Sequence, residues 1–488
     1  MKTFKISHYT ILVIFITLLS GCAVNPATGE RDFVLMSESE ELALGREYSK
    51  QVMKEYRAYD NPSLQAYVQS IGDRVARVSD RQNLFYRFTL LDSMQVNAFA
   101  LPGGYIYITR GLLAYLNSES ELAAVLGHEL GHVTARHSVR QHSLSTATNL
   151  LGGIVAAATG VQGAGQLSSL LSTGIIRGYG REHELEADGL GADYLVRAGY
   201  PATAMRKVIT TLKNQELFDK QLAKEQGRKP RAYHGVFSTH PDNDTRLQQV
   251  LNRSGRGVNL NQDTNRVDIN FLNKLAGLTF GDSEEDGVTR NNVFYHKDLN
   301  FKVKFPASWL ISNRPNAIAA SAPKDEAFMQ VIMQDLNQKL TPKQFIKTRL
   351  GISNFIGERP LSIDGFRGHT VVADGETPYG QRQTRVAVLF DGRRAFIFFS
   401  AAKQKNTFAR FDPYFLNTIK SFSRLNSKDK RIASELTLKL IKFKRSQSLS
   451  VLAKSSPITH HAEQQLRLLN GFYPKGEPKS GDLIKIVR

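Results

Sequence analysis

In this chain of 488 residues, the side chains best placed for chemistry lie in His128-Glu129-Leu130-Gly131-His132. Ser118, with Glu121 three residues on, is a helix-start signature. The apolar run behind it predicts a helix from Ser118 past Val133. On such a helix His128 and His132 sit one turn apart on one face. Two imidazoles so placed can bind one Zn²⁺, with Glu129 beside the open coordination position. The chain has a single Cys, so a site built from several thiolates is excluded and any metal must be held by His and carboxylates. Gly127 and Gly131 each cost a helix interior about 1 kcal/mol relative to Ala. Another part of the molecule must therefore approach that backbone closely.

Catalytic zinc takes a third protein ligand. The candidates lie in Arg181-Glu182-His183-Glu184-Leu185-Glu186-Ala187-Asp188. Glu184 and Asp188 form an i, i+4 pair on one face of a second helix that ends near Gly199-Tyr200-Pro201. One carboxylate can ligate while the other accepts the N–H of a ligating His and fixes its tautomer. On spacing alone, Glu182, His183 and Glu186 are rival ligands.

This arrangement resembles the gluzincin metallopeptidases of the HtpX, BepA and CAAX-prenyl-protease group. The resemblance implies one Zn²⁺ per chain on His128, His132 and Glu184, with Glu129 as the base and Asp188 as the partner of a ligating His. Asn97-Ala98-Phe99-Ala100 is similar to the group's segment before the catalytic helix, which implies an edge strand that binds extended substrate. Thr239-His240-Pro241 with Arg246 is similar to a segment whose His approaches the metal. That implies a catalytic part for His240 and Arg246, with His240 either donating to an oxyanion or latching the metal shut. The likeness spans roughly residues 24–252. The chain departs from BepA-type members in lacking a 34-residue helical repeat.

The elements that must position these groups imply a multidomain fold. Residues 37–252 read as a mainly α zincin-type metallopeptidase domain with a short β edge. Residues 253–292 read as a polar linker. Residues 293–424 turn to strands: Phe301, Val303 and Phe305 alternate, and Asp391-Gly392 joins two apolar runs as a hairpin. With Phe301–Trp309 they resemble a PsbP-like α+β domain. Residues 434–488 resemble a small LysM-like βααβ tail, through Ser448–Ala453, Gln465–Gly471 and Gly481–Ile486. Between the two halves of the site, residues 141–176 contain no Asp, Glu, Lys or Arg. They are too few for a membrane-spanning hairpin and suit a helical lid.

Residues 1–21 read as a signal: Lys2 and Lys5 precede an apolar run, and Leu19-Ser20-Gly21-Cys22 resembles a lipobox. Cys22 is thus the expected lipidation site, 22–36 a lipidated N-terminus and linker, and the chain an outer-membrane lipoprotein facing the periplasm. The net charge falls from +19 to +17 when Lys2 and Lys5 leave. The 65 residues from Arg424 hold 14 basic and 5 acidic side chains. For an exported chain, that points to peptidoglycan or anionic lipid rather than nucleic acid.

Together these readings predict a zinc-dependent endopeptidase acting on unfolded or misassembled envelope polypeptides. The alternative is a non-catalytic or latent chaperone scaffold tethered to the cell wall. Substitution Cys22→Ser is expected to remove the acyl mass and release the protein from membranes, as read by mass spectrometry and fractionation.

Overall fold

The computed structural model describes residues 22–146, 179–228, 230, 246, 268–314 and 317–488. His240 and the proposed lid from residue 147 onward lie outside them. Among the described residues, no helix is long and apolar enough to cross a membrane.

The chain opens with a strand pair, β1 (Cys22–Val24) against β2 (Arg31–Phe33). Helix α1 (Glu38–Glu55) follows, with the full reciprocal cap between Ser37 and Glu40. Helix α2 (Pro62–Ala76) begins with Asn61 as its cap and Pro at its first position, where a missing N–H costs nothing. Strands β3 (Arg87–Leu91), β4 (Ala98–Leu101) and β5 (Tyr105–Thr109) form a sheet in the order β3-β5-β4. The expected edge strand is therefore present, with β5 as its only neighbour among the described residues.

Helix α3 (Glu119–Thr134) carries the two histidines and is buried on nearly every side. Its capping differs from the reciprocal form expected. The Ser118 hydroxyl accepts from the Glu121 N–H, while the Glu121 carboxylate accepts from the Asn117 N–H. Helices α4 (Arg181–Arg197) and α5 (Thr203–Glu225) pack around α3.

The described part of 253–292 does not run as a linker. Helix α6 (Ile269–Leu275) buries Phe271, Leu272 and Leu275 in the core shared with α3. Asp268 caps two helices at once, accepting the N–H of Phe271 and that of Glu119. Strand β6 (Thr279–Phe280) is tied down by the buried Arg110, which donates to Thr279 O and Gly281 O and pairs with Asp92. Three apolar positions in a seven-residue helix are enough to dock it, and a polar average over the segment hides them.

The strand-rich part begins earlier than Val293, at β7 (Val288–Arg290), which pairs with β8 (Val293–His296). It holds a seven-stranded antiparallel sheet of β10 (Leu310–Arg314), β11 (Ala317–Ser321), β12 (Ala327–Asp335), β13 (Ile356–Ile363), β14 (Phe366–Gly375), β15 (Arg382–Asp391) and β16 (Arg394–Ala402). Their order is β10-β11-β12-β16-β15-β14-β13, and helix α7 (Pro342–Thr348) packs on β14 and β15. Asp391 pairs with Arg394 across the expected hairpin turn. The amphipathic helix α8 (Phe408–Lys420) lies on this sheet, and Trp309 is buried against Phe411 and Phe415.

From Leu436 the chain runs β18 (Leu436–Lys442), α9 (Leu449–Lys454), α10 (Ala462–Leu469) and β19 (Leu483–Val487), with β18 and β19 antiparallel. This unit shares its core with the helices around α3: Leu438, Leu449, Leu466 and Ile484 pack in the same cluster as Leu122 and Leu126. Lys485, fully buried, donates to Ala114 O at 2.6 Å and to Leu116 O at 2.7 Å, in the turn that leads into α3. Burial lowers its ammonium to about 7, and the buried Glu121 carboxylate opposes that fall. Leaving a buried hydrogen-bond acceptor unsatisfied costs about 1–3 kcal/mol, and two carbonyls depend on this ammonium. Lys485→Met is therefore expected to lower unfolding free energy by about 2 kcal/mol or more in a denaturant titration. A change within about 0.5 kcal/mol, the range of an inert surface site, would refute the clamp.

Candidate metal centre

Helices α3 and α4 cross where neither presents a side chain. A Cβ on Gly131 would lie 2.9 Å from the Ala187 carbonyl oxygen and 3.1 Å from Ala187 Cα. One on Gly191 would lie 3.0 Å from His128 N. The close approach expected from the two helix glycines is thus made by the backbone of α4.

This contact brings Glu184 against both histidines. His128 Nε2 and His132 Nε2 stand 3.0 Å apart, and the Glu184 carboxylate oxygens lie 3.5 and 3.4 Å from them. Four ligands at 2.0–2.2 Å in a tetrahedron are separated by about 3.3–3.5 Å, so the spacing fits a small cation. These three residues form the one group among the described residues able to hold a metal.

The bonds behind the rings say which way the lone pairs point. His128 Nδ1 faces Asp188 Oδ1 at 2.8 Å. A carboxylate only accepts, so Nδ1 carries the hydrogen and Nε2 the lone pair of a neutral ring. Asp188 in turn accepts from Arg246 Nε at 2.7 Å and from its Nη2 at 2.8 Å. Burial alone would raise the Asp188 carboxyl, but the Arg246 guanidinium and then His128 hold it well below the usual carboxylate range.

His132 is held by a residue the sequence reading missed. Its Nδ1 faces His137 Nδ1 at 2.7 Å, and His137 Nε2 faces Glu186 Oε2 at 3.1 Å. Burial keeps the His137 ring below its ordinary pKa, against the pull of Glu186. A neutral His137 donates through Nε2 to Glu186 and accepts at Nδ1, which leaves His132 Nε2 also as an acceptor. Three acceptors then converge, the electrostatic signature of a cation site. Arg140 donates to Glu186 at 3.0 Å, and Tyr179 stacks on His132 at 4.0 Å.

The expected residues divide accordingly. Glu184 joins the two histidines; Asp188 lies behind His128. Glu186 belongs behind His132, His183 stacks on His137 with its ring centroid 4.4 Å away, and Glu182 is exposed. Arg246 is buried behind the donors, bonded to Asp188 and 3.3 Å from Glu184. It also lines the small cavity beside Glu129.

Glu129 is buried beside His128 and lines a cavity of about 20 Å³ with Ala98, Val125, Met205, Val208 and Arg246. Asn97 bonds through both its N–H and its C=O to Thr109. In an antiparallel ladder, the polar groups of Ala98 and Ala100 then point away from β5. Phe99 stacks on Tyr107.

Residues 62–254 match the family model for Peptidase family M48. The chain is 31% identical over 249 residues to the beta-barrel assembly-enhancing protease of Yersinia pestis, covering 49% of each chain. It is 30% identical over 231 residues to the protein of that name in Escherichia coli strain K12, covering 45% of each. It is 29% identical over 229 residues to the mitochondrial metalloendopeptidase OMA1 of Schizosaccharomyces pombe, covering 46% of this chain and 64% of that one. The chain spans about half the length of the bacterial relatives it matches.

The two glycines of α3 make opposite predictions. Gly131→Ala must push α4 away, a strain of about 1–3 kcal/mol, and zinc affinity is expected to fall about tenfold or more. At Gly127 a Cβ meets the Gly191 carbonyl at 3.4 Å, an ordinary contact. Gly127→Ala should keep its affinity and gain up to about 1 kcal/mol of stability. Chelator competition and thermal melting of both variants check this.

Proposed function

We propose that this chain is a zinc-dependent endopeptidase. It cuts unfolded or misassembled polypeptides of the cell envelope, and a lipid on Cys22 holds it to the outer membrane facing the periplasm. The observation that carries the catalytic part is the convergence of three acceptor atoms from His128, His132 and Glu184, with both imidazoles held from behind. The M48 match and the names of the relatives support the peptidase class. The bacterial relatives are named for a role in beta-barrel assembly, which supports an envelope setting.

Zinc on those three residues would supply Lewis acidity, able to bring the pKa of water towards about 7. The chain's own groups do the rest. Glu129 takes a proton from the attacking water and passes it to the leaving amine, in the double role of a general base and then acid. Asp188 and His137 keep both imidazoles in the tautomer that faces the reaction. Strand β4 offers the outward N–H and C=O groups of Ala98 and Ala100 to an extended chain. Pairing of this kind reads backbone and needs a strand not already paired, which favours unfolded substrates over native ones.

Glu129→Gln on the purified protein tests the reading. One zinc per chain should remain, while casein cleavage falls by about 10²- to 10⁴-fold, the usual share of a general base. Undiminished cleavage would remove Glu129 from the mechanism. A zinc-loaded parent that cuts nothing would favour the client-binding scaffold instead.

A further inference from the structure

The bonds behind His132 do not stop at Arg140. Arg140 Nε lies 3.3 Å from Asp32 Oδ1, and Asp32 sits in β2 opposite Ala23 of β1. From the turn of the same hairpin, the buried Asn25 points its amide nitrogen at Glu186 Oε1, at 3.5 Å. The Asn25 carboxamide oxygen is tied to the N–H groups of Ala27 and Thr28, so its NH₂ end is aimed rather than free to turn. Just beyond the hairpin, Leu35 N donates to the fully buried Ser143 Oγ at 3.0 Å. This fixes the segment against the stretch that carries His137 and Arg140.

We infer that the strand pair 22–33 is a working part of the metal centre, with Asp32 and Asn25 as positioning residues for His132. The inference rests on the zinc reading above. Its logic is directional. His132 Nε2 faces the metal position only while Nδ1–H has an acceptor in His137. His137 accepts there only while its Nε2–H has the Glu186 carboxylate. Glu186 is a partly exposed carboxylate in the second turn of α4, and three donors hold it: His137, Arg140 and Asn25. Two of these depend on the hairpin, Asn25 by belonging to it and Arg140 by its pairing with Asp32. His128 needs no such help, since Asp188 and Arg246 are already buried within the site.

The location gives the arrangement a consequence. Asn25 lies three positions after Cys22, a reach of about 10 Å at full extension. The stretch that would emerge from the membrane is the one that steadies the metal ligand. Attachment and metal holding are thus served by the same few residues, and the site would work close to the bilayer surface.

The test is zinc affinity of the full chain, measured by competition with a chromophoric chelator, with thermal melting of the zinc-free form alongside. Loss of a residue behind a metal ligand costs about 10- to 100-fold in affinity. The paired substitution Asn25→Ala with Asp32→Ala is expected to weaken zinc binding about tenfold while the zinc-free melting temperature stays within a few degrees. Asp32→Glu, which retains the charge for Arg140, should recover most of the loss. Glu186→Gln should weaken binding at least as much as the pair. Cys22→Ser should leave affinity unchanged, because the hairpin acts here and the lipid does not. Parent-like affinity in the paired variant, within twofold, would overturn the inference and leave the peptidase reading standing. A parent chain that takes up no zinc would overturn both.

Discussion

Where α3 crosses α4, glycine backbone lies against backbone, and no side chain holds the two helices apart. Gly131 rests on Ala187, and Gly191 rests on Gly127 and His128. Metal sites in helix bundles are built from facing Glu and His side chains, and a close crossing shortens the reach Glu184 needs to meet both imidazoles. Glu184 meets them while fully buried. The cost is a glycine in each helix, Gly131 in α3 and Gly191 in α4, each of which weakens its helix in isolation. Tertiary burial offsets that weakness, since almost every residue of α3 from Glu121 onward is inside the protein.

Charge explains why the centre needs support from outside. Glu129, Glu184 and Asp188 are buried together with one guanidinium, that of Arg246. Three formal negative charges against one positive leave an excess of two in a medium that penalises unpaired charge heavily. A divalent cation at the three converging acceptors balances it. The two imidazoles are steered by different means. Behind His128 stands a carboxylate clamped from two sides by arginine, a strong and rigid pairing. Behind His132 stands a neutral imidazole, which accepts more weakly and must itself be oriented by Glu186. The second arrangement is longer, reaches nearer the surface and recruits more of the chain.

The parts of this site that could be read from sequence are those set by helix periodicity. His128 with His132, and Glu184 with Asp188, are both four apart within single helices, so their shared faces follow from the 3.6-residue turn. The approach of a second backbone was legible because two glycines inside a helix demand a reason. His137 was not legible. It lies past the end of α3, and it turns back to His132 because Arg136 takes a left-handed conformation, φ 55°, which no local pattern marks for an arginine. The choice of Glu184 over Glu186 was equally closed to spacing, because both lie on the inward half of α4 and differ in which ring they meet. Lys485 reads in sequence as one more cation of a basic tail. Only the fold shows it buried 371 residues from the carbonyl it caps.

These long-range contacts grip α3 at both ends. At its start, Lys485 ties down the turn at Ala114 and Leu116, Glu121 holds the Asn117 N–H, and Asp268 caps the Glu119 N–H. At its finish, His137 and Arg140 lead to the hairpin at Asn25 and Asp32. Residues 62–254 carry the M48 match, yet the partners from 22–33, 268 and 485 all fall outside it. Small displacements of α3 along its axis would change both imidazole positions relative to Glu184, since the two rings ride on α3 and the carboxylate on α4. The flanking segments therefore help fix the register between donors on different helices. This accounts for a unit from 434 onward that merges its core with the helices around α3 instead of hanging from them by a linker.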